Sequence, residues 1–389
     1  MYKTLDYINW RGDLSFLRDP LNDVDVLIFA LLSYLPFKGI VPGIGAKKGI
    51  ALKDAAGQYF SIFSTSEAKP TLIHPTAIPS FDAEVKDLFK KAAMSPRFEM
   101  VELSNYDENT DFIIGRQFAA VTYNLKNAKN EKVIAFRGTD SSVVGWEEDF
   151  ELAYMEQIPA QESAGNYLKR TLGFFPGRFI LCGHSKGGNL AVFAGSSLNP
   201  LHQSRLIKIL NFDGPGFNFP VVHRGPFMKC EHKVMNYVPE ESMVGLLLEP
   251  VGARTVVSSA SQFFLQHNAL NWRVEGTKFI QGNLSKNAEL LDHTIKTWLT
   301  KIPLSHREMF LEALFDILGA SEGNTIKSDP RENLNELKKI LKKYSELDKE
   351  TKALLSQVFE SLTAEAGKTL SATIVERLPG KKSPGTDQA

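Results

Sequence analysis

The 389-residue sequence predicts an α/β chain whose mostly parallel sheet is covered by helices on both faces. Three observations carry this. Several short apolar runs lack an in/out alternation, as strands buried on both faces do. Stretches with helical apolar spacing lie between them. A glycine-flanked serine, Gly183-His184-Ser185-Lys186-Gly187, joins one such run to one such stretch.

From Asp23 to Tyr34, Val24, Leu27, Ile28, Leu31 and Leu32 recur at helical spacing, and Pro36 and Gly39 end the helix. A second helix is expected from Phe81 to Met94, with Val85, Leu88 and Phe89 on one face. Strands are expected at Phe118–Tyr123 and Lys132–Phe136, joined as a hairpin at Asn127-Ala128-Lys129-Asn130. Further strands follow at Arg178–Cys182, Ile207–Phe212 and Lys233–Val238, with helices over Ala164–Leu172 and Asn189–Leu198. After Asn283 only helical patterns remain: Ala288–Leu299, Ser305–Leu318, a helix opened by Asp329-Pro330-Arg331-Glu332, and a stripe from Leu354 to Leu362. This divides the chain into an N-terminal helical cap segment (1–95), an α/β core (96–282), a C-terminal helical extension (283–365) and a disordered tail (366–389).

Apolar residues make up 43% and charged residues 23%, proportions of a globular protein in water. Basic and acidic residues balance at 45 each, so no overall field recruits nucleic acid. The strongest apolar run, Val26 to Phe37, falls short of the roughly 20 residues of a membrane span. The first residues lack the basic and apolar regions of a signal peptide. Cys182 and Cys230 read as two reduced, buried thiols, and the expected location is the cytoplasm. No metal-ligand cluster or cofactor motif is present, so no cofactor is expected.

The serine motif has a chemical reason. A strand, Arg178–Cys182, leads into it, and an apolar-periodic helix leaves it. A tight strand-to-helix turn lifts the Ser185 hydroxyl above the sheet's carboxyl edge, and the small residues on either side relieve crowding. The helix N-terminus behind it favours developing negative charge. This is the nucleophile elbow of the α/β-hydrolase fold.

Val133-Ile134-Ala135-Phe136-Arg137-Gly138-Thr139-Asp140, Trp146-Glu147-Glu148-Asp149-Phe150 and Gly183-His184-Ser185-Lys186-Gly187-Gly188 together resemble the class 3 lipase pattern. The whole chain is similar to a bacterial family of class-3-lipase-like α/β-hydrolases. That likeness includes Trp10–Phe16 and Asn211–Phe217 and covers residues 5–320. The resemblance implies an oxyanion hole built from the hydroxyl and N–H of Thr139 and the N–H of Lys186, with Asp149 bracing the loop. Lys186 stands where an apolar residue is commoner. Its charge implies a site edge that is wet or paired with an acid such as Glu240 or Asp149, and short or medium acyl chains rather than long ones.

In this fold the general base follows the nucleophile in the chain. His202, His223 and His232 fall too early, and His293 and His306 lie on helices. His267 sits in a loop after the last strand candidates, and the resemblance also places a histidine just before a short loop and a tryptophan, here Trp272. The acid stays open between Asp213, which ends the strand after the nucleophile helix, and Glu240 or Glu241, which end the next strand. The expected activity is hydrolysis of a lipid or small acyl ester through an acyl-enzyme on Ser185. The alternatives are a hydrolase-fold interaction protein with little catalysis and an acyltransferase. Peripheral contact with a membrane and a protein partner for the C-terminal helices both remain open.

Overall fold

The computed structural model describes residues 2–292 except 65–78, 112, 114, 115, 127, 128, 140–151, 153, 154, 156, 174–176, 224, 287, 290 and 291, together with Lys349, Lys352 and Ala353. Eight strands form the main sheet in the order β2 (Ile50–Ala51), β3 (Glu102–Asp111), β4 (Arg116–Asn124), β5 (Lys132–Phe136), β6 (Phe179–His184), β7 (Leu206–Phe212), β8 (Val234–Pro239) and β9 (Ala253–Val257). The pairings from β2 through β5 are antiparallel. Those from β5 through β9 are parallel. A small second sheet joins β1 (Tyr2–Lys3), β10 (Arg273–Glu275) and β11 (Lys278–Phe279). Among the described residues this is the α/β-hydrolase arrangement, with the elbow at the carboxyl end of β6.

The faces of β6 are covered differently. Ile180 and Cys182 share one apolar cluster with helix α2 (Asp23–Leu32), which packs on β5, β6 and β7. Leu181 and Ile209 face Gly195 of the helix that leaves the elbow, with no room there for a larger residue. Both cysteines are buried and free.

Helix α2 is buried on every side from Val24 to Leu32, including Asp25. Its start is a capping box: the Asn22 side chain accepts from the N–H groups of Val24 and Asp25, and the Asp25 carboxylate accepts from the N–H of Asn22. Asp25 is paired with Arg97, whose Nε and Nη2 donate to its two oxygens at 2.7 and 2.6 Å. The other guanidinium hydrogens go to the carbonyls of Leu14, Asp19 and Pro20. Burial works against the Arg97 charge, but the Asp25 carboxylate outweighs it and raises the guanidinium above its usual value. One arginine thus pins the loop after α1 (Thr4–Arg11) to α2.

Helices α3 (Leu52–Ser64) and α4 (Pro79–Ala93) pack on each other, and α5 (Pro159–Leu172) packs on β4 and on α6 (Lys186–Ser196). Residues 1–308 form one compact unit and 309–389 a second. The expected helices at Ser305–Leu318, from Asp329 and over Leu354–Leu362, most of Ala288–Leu299, and the tail lie outside the described residues, as do Asp149, His293 and His306. Among the described residues no helix is long and apolar enough to cross a membrane.

Candidate active site

Strand β6 ends at His184, and Ser185 leaves it with φ 57°, a left-handed backbone that a residue with a side chain holds only when its surroundings impose it. Its N–H still bonds to the Phe212 carbonyl at 3.0 Å, so the ladder to β7 runs into the turn. A side chain at Gly183 would overlap the backbone of Gly187, and one at Gly187 would overlap the Phe136 carbonyl. Those contacts explain why both positions flanking the serine are glycine.

One strand further along, Asp213 repeats the geometry. It follows β7 with φ 52°, and its N–H bonds to the Tyr237 carbonyl at 2.8 Å. The buried Asn211 holds this turn, accepting from Gly214 N–H at 2.9 Å and donating to Asn236 Oδ1. The Asp213 side chain is fully buried. Its Oδ1 accepts from the Ser242 hydroxyl and from Gly245 N–H, and its Oδ2 faces His267 Nδ1 at 2.7 Å. A carboxylate opposite Nδ1 puts the imidazole proton on that nitrogen and leaves Nε2 as the basic one. The His267 side chain is 21% exposed, open enough to meet a substrate.

His267 ends a 3₁₀ turn, Phe263–His267, held from three sides. The buried Gln266 accepts from Glu241 N–H and donates to Glu241 Oε2, at 3.0 and 3.1 Å. Trp272 Nε1 donates to the Gln266 carbonyl at 2.8 Å. His184 Nε2 bonds to the His267 carbonyl at 2.8 Å, with the two imidazole rings 4.7 Å apart. Because the carbonyl only accepts, His184 carries its proton on Nε2. Its Nδ1 accepts from the Tyr34 hydroxyl at 2.9 Å. Burial, and secondarily the neighbouring His267 charge, push the His184 imidazole down to about 3.

The structure therefore brings Ser185, Asp213 and His267 to one end of the parallel sheet. Glu240 and Glu241 make other contacts: Glu240 Oε2 accepts from the Ser258 hydroxyl, and Glu241 holds Gln266. Gly138, just before Thr139, lies against the Tyr34 hydroxyl and the His184 carbonyl, so the loop after β5 abuts the elbow. The N–H of Lys186 is the first of α6, at the positive end of that helix. The Lys186 side chain is buried, and its ammonium donates to Gln117 Oε1 at 3.0 Å; Asp149, one of the acids expected to pair with it, lies outside the described residues. The first turn of α6 carries this side chain across to the start of β4. Tyr34, Gln266, Asn211 and Ser242 were not legible as site residues; only His184, adjacent to the serine, carried a signal.

Among the described residues no group of His, Cys, Asp and Glu is arranged to hold a metal ion. A comparison with curated proteins finds no match. Among solved structures, the chain is similar to M37 lipase at 18% identity and a TM-score of 0.33, over 57% of this chain and 67% of that one. It is similar to a fungal lipase at 13% identity and a TM-score of 0.35, over 67% and 84%. It is also similar to a mutant form of MDLA from Penicillium cyclopium at 15% and 0.33, over 60% and 84%. Residues 92–316 match the family described as Mbeg1-like. With more than half of its length in that match, the chain belongs to the Mbeg1-like family.

Proposed function

We propose that the chain is a serine ester hydrolase acting through an acyl-enzyme on Ser185. The observation that carries this reading is a serine held at left-handed φ between a strand and a helix, with a buried Asp213 bonded to the partly exposed His267 on the neighbouring loops. Ser185 Oγ attacks the ester carbonyl as its proton passes to His267 Nε2. Asp213 keeps the imidazole in the required tautomer and stabilises the imidazolium. The tetrahedral oxyanion is met by Thr139 and by the N–H of Lys186 at the positive end of α6. Collapse expels the alcohol, which takes the proton from His267. A water, deprotonated by the same imidazole, then releases the acid and restores Ser185.

The substrate class is a lipid or small acyl ester. Acyl transfer to another alcohol or amine would share every step up to the acyl-enzyme, so product analysis separates the two. A fluorophosphonate is expected to label the folded protein at Ser185. Ser185→Ala is expected to abolish labelling and lower esterase turnover by several orders of magnitude while leaving the fold intact. Labelling at another serine, or turnover that survives Ser185→Ala, would remove the proposal.

A further inference from the structure

We infer that Tyr34 and His184 form a positioning pair that fixes the base, His267, through a chain of hydrogen bonds, with the oxyanion loop packed against the same tyrosine hydroxyl. The inference rests on the reading of Ser185 and His267 given above. His184 is 3% exposed and both its ring nitrogens are engaged, one with the Tyr34 hydroxyl and one with the His267 carbonyl. A buried imidazole gains nothing over an aliphatic side chain as filler and carries a desolvation cost. What it adds is direction, since a donor at Nε2 and an acceptor at Nδ1 are required together.

Tyr34 supplies the complementary donor from the turn after α2, and so selects the His184 tautomer that can hold His267. The same hydroxyl lies so close to Gly138 that a side chain there would overlap it. Phe81 of α4 completes the enclosure, edge-on to Tyr34 at 5.1 Å and stacked beside His184 at 6.3 Å. The His267 carbonyl is thus tied to the residue just before the nucleophile, so a shift of the base loop relative to the elbow must break a buried hydrogen bond. Position relative to Ser185 is what proton transfer needs, and a misplacement of about 1 Å lowers rates by about a hundredfold.

The test uses the full chain, with turnover of a soluble short-chain nitrophenyl ester expressed per site titrated by fluorophosphonate. His184→Ala is expected to lower kcat by about 10- to 100-fold with KM within about twofold. His184→Gln keeps an amide donor for the His267 carbonyl and an oxygen for Tyr34, and is expected to recover most of that loss. Tyr34→Phe is expected to lower kcat by about three- to tenfold at unchanged KM. The inference is overturned if His184→Ala keeps its kcat per labelled site, if Gln rescues no better than Ala, or if KM changes in parallel with kcat. Should His184→Ala fail to fold, Tyr34→Phe decides alone: wild-type kcat overturns the inference, and a kcat-only loss supports it. Wild-type protein that is not labelled at Ser185 overturns the underlying site reading, whatever the variants do.

Discussion

At the scale of single residues, the arrangement around Asp213 makes a sharp distinction among three acids. Asp213→Asn would keep the shape but place an amide against His267 Nδ1. The imidazole would then favour the opposite tautomer, with its proton on the nitrogen that must act as base. We expect kcat to fall by about 10⁴-fold, as when a triad acid becomes an amide. Glu240→Gln and Glu241→Gln each keep an oxygen for Ser258 or Gln266, and kcat/KM for the same ester should stay near wild type. Measuring all three separates the roles. Ser185 and the His267 loop were legible because their signals are local: glycines around a strand-to-helix turn, and a histidine late in the chain. The acid was not. Asp213 and the two glutamates end successive parallel strands, and local sequence does not say which loop bends towards His267. That is set by the left-handed Asp213 turn and by the buried Asn211 and Ser242 that hold it.

At the scale of elements, the buried strands β5 to β8 and the helices on them were readable because both faces are apolar. Strand β3 was not. Its sequence, Glu-Leu-Ser-Asn-Tyr-Asp-Glu-Asn-Thr-Asp, is polar, and the register slips between Ser104 and Asp107 around Asn105 at φ 53°. That irregularity breaks the period of two by which a half-exposed strand is recognised. Helix α2 was expected, but its dependence on Arg97 was not, because the partners lie far apart in the chain. Arg97→Ala would leave Asp25 buried without its counter-charge, and we expect a loss of about 3–5 kcal/mol in urea unfolding. The double change Arg97→Met with Asp25→Leu removes both charges and should cost clearly less. If the single and double variants unfold alike, the loss reflects packing around Arg97 rather than a stranded carboxylate.

At the scale of the whole molecule, buried titratable groups set limits on stability at both ends of the pH range. The His184 imidazole titrates near 3 in the folded protein against 6.5 when exposed, because burial opposes its charge. Between those values the unfolded chain binds a proton that the folded chain does not. The contribution is therefore complete above about pH 6.5 and lost as pH falls towards 3, at most on the order of 5 kcal/mol. On the alkaline side, burial pushes the Cys230 thiol up to about 11 and the Cys182 thiol higher still, from an ordinary value of 9.0. The unfolded chain then loses protons first, so stability falls as pH rises above about 9. Thermal melts across pH should show a plateau between these limits. His184→Gln should flatten the acid side alone.

The pairing of the chain's first strand has a consequence for how the protein is made. Tyr2 aligns with Val274, and the Thr4 N–H bonds to the carbonyl of Trp272, whose indole in turn holds Gln266 beside the base. The residues of β1 therefore have no partner until roughly 270 more have left the ribosome, on the order of 14–54 s at ordinary elongation rates. In the last part of that interval, after Ser185 and before Trp272, the nascent chain carries the Ser185 turn without the segment that holds the His267 loop. The candidate site is completed late, when the segment around Trp272 meets β1.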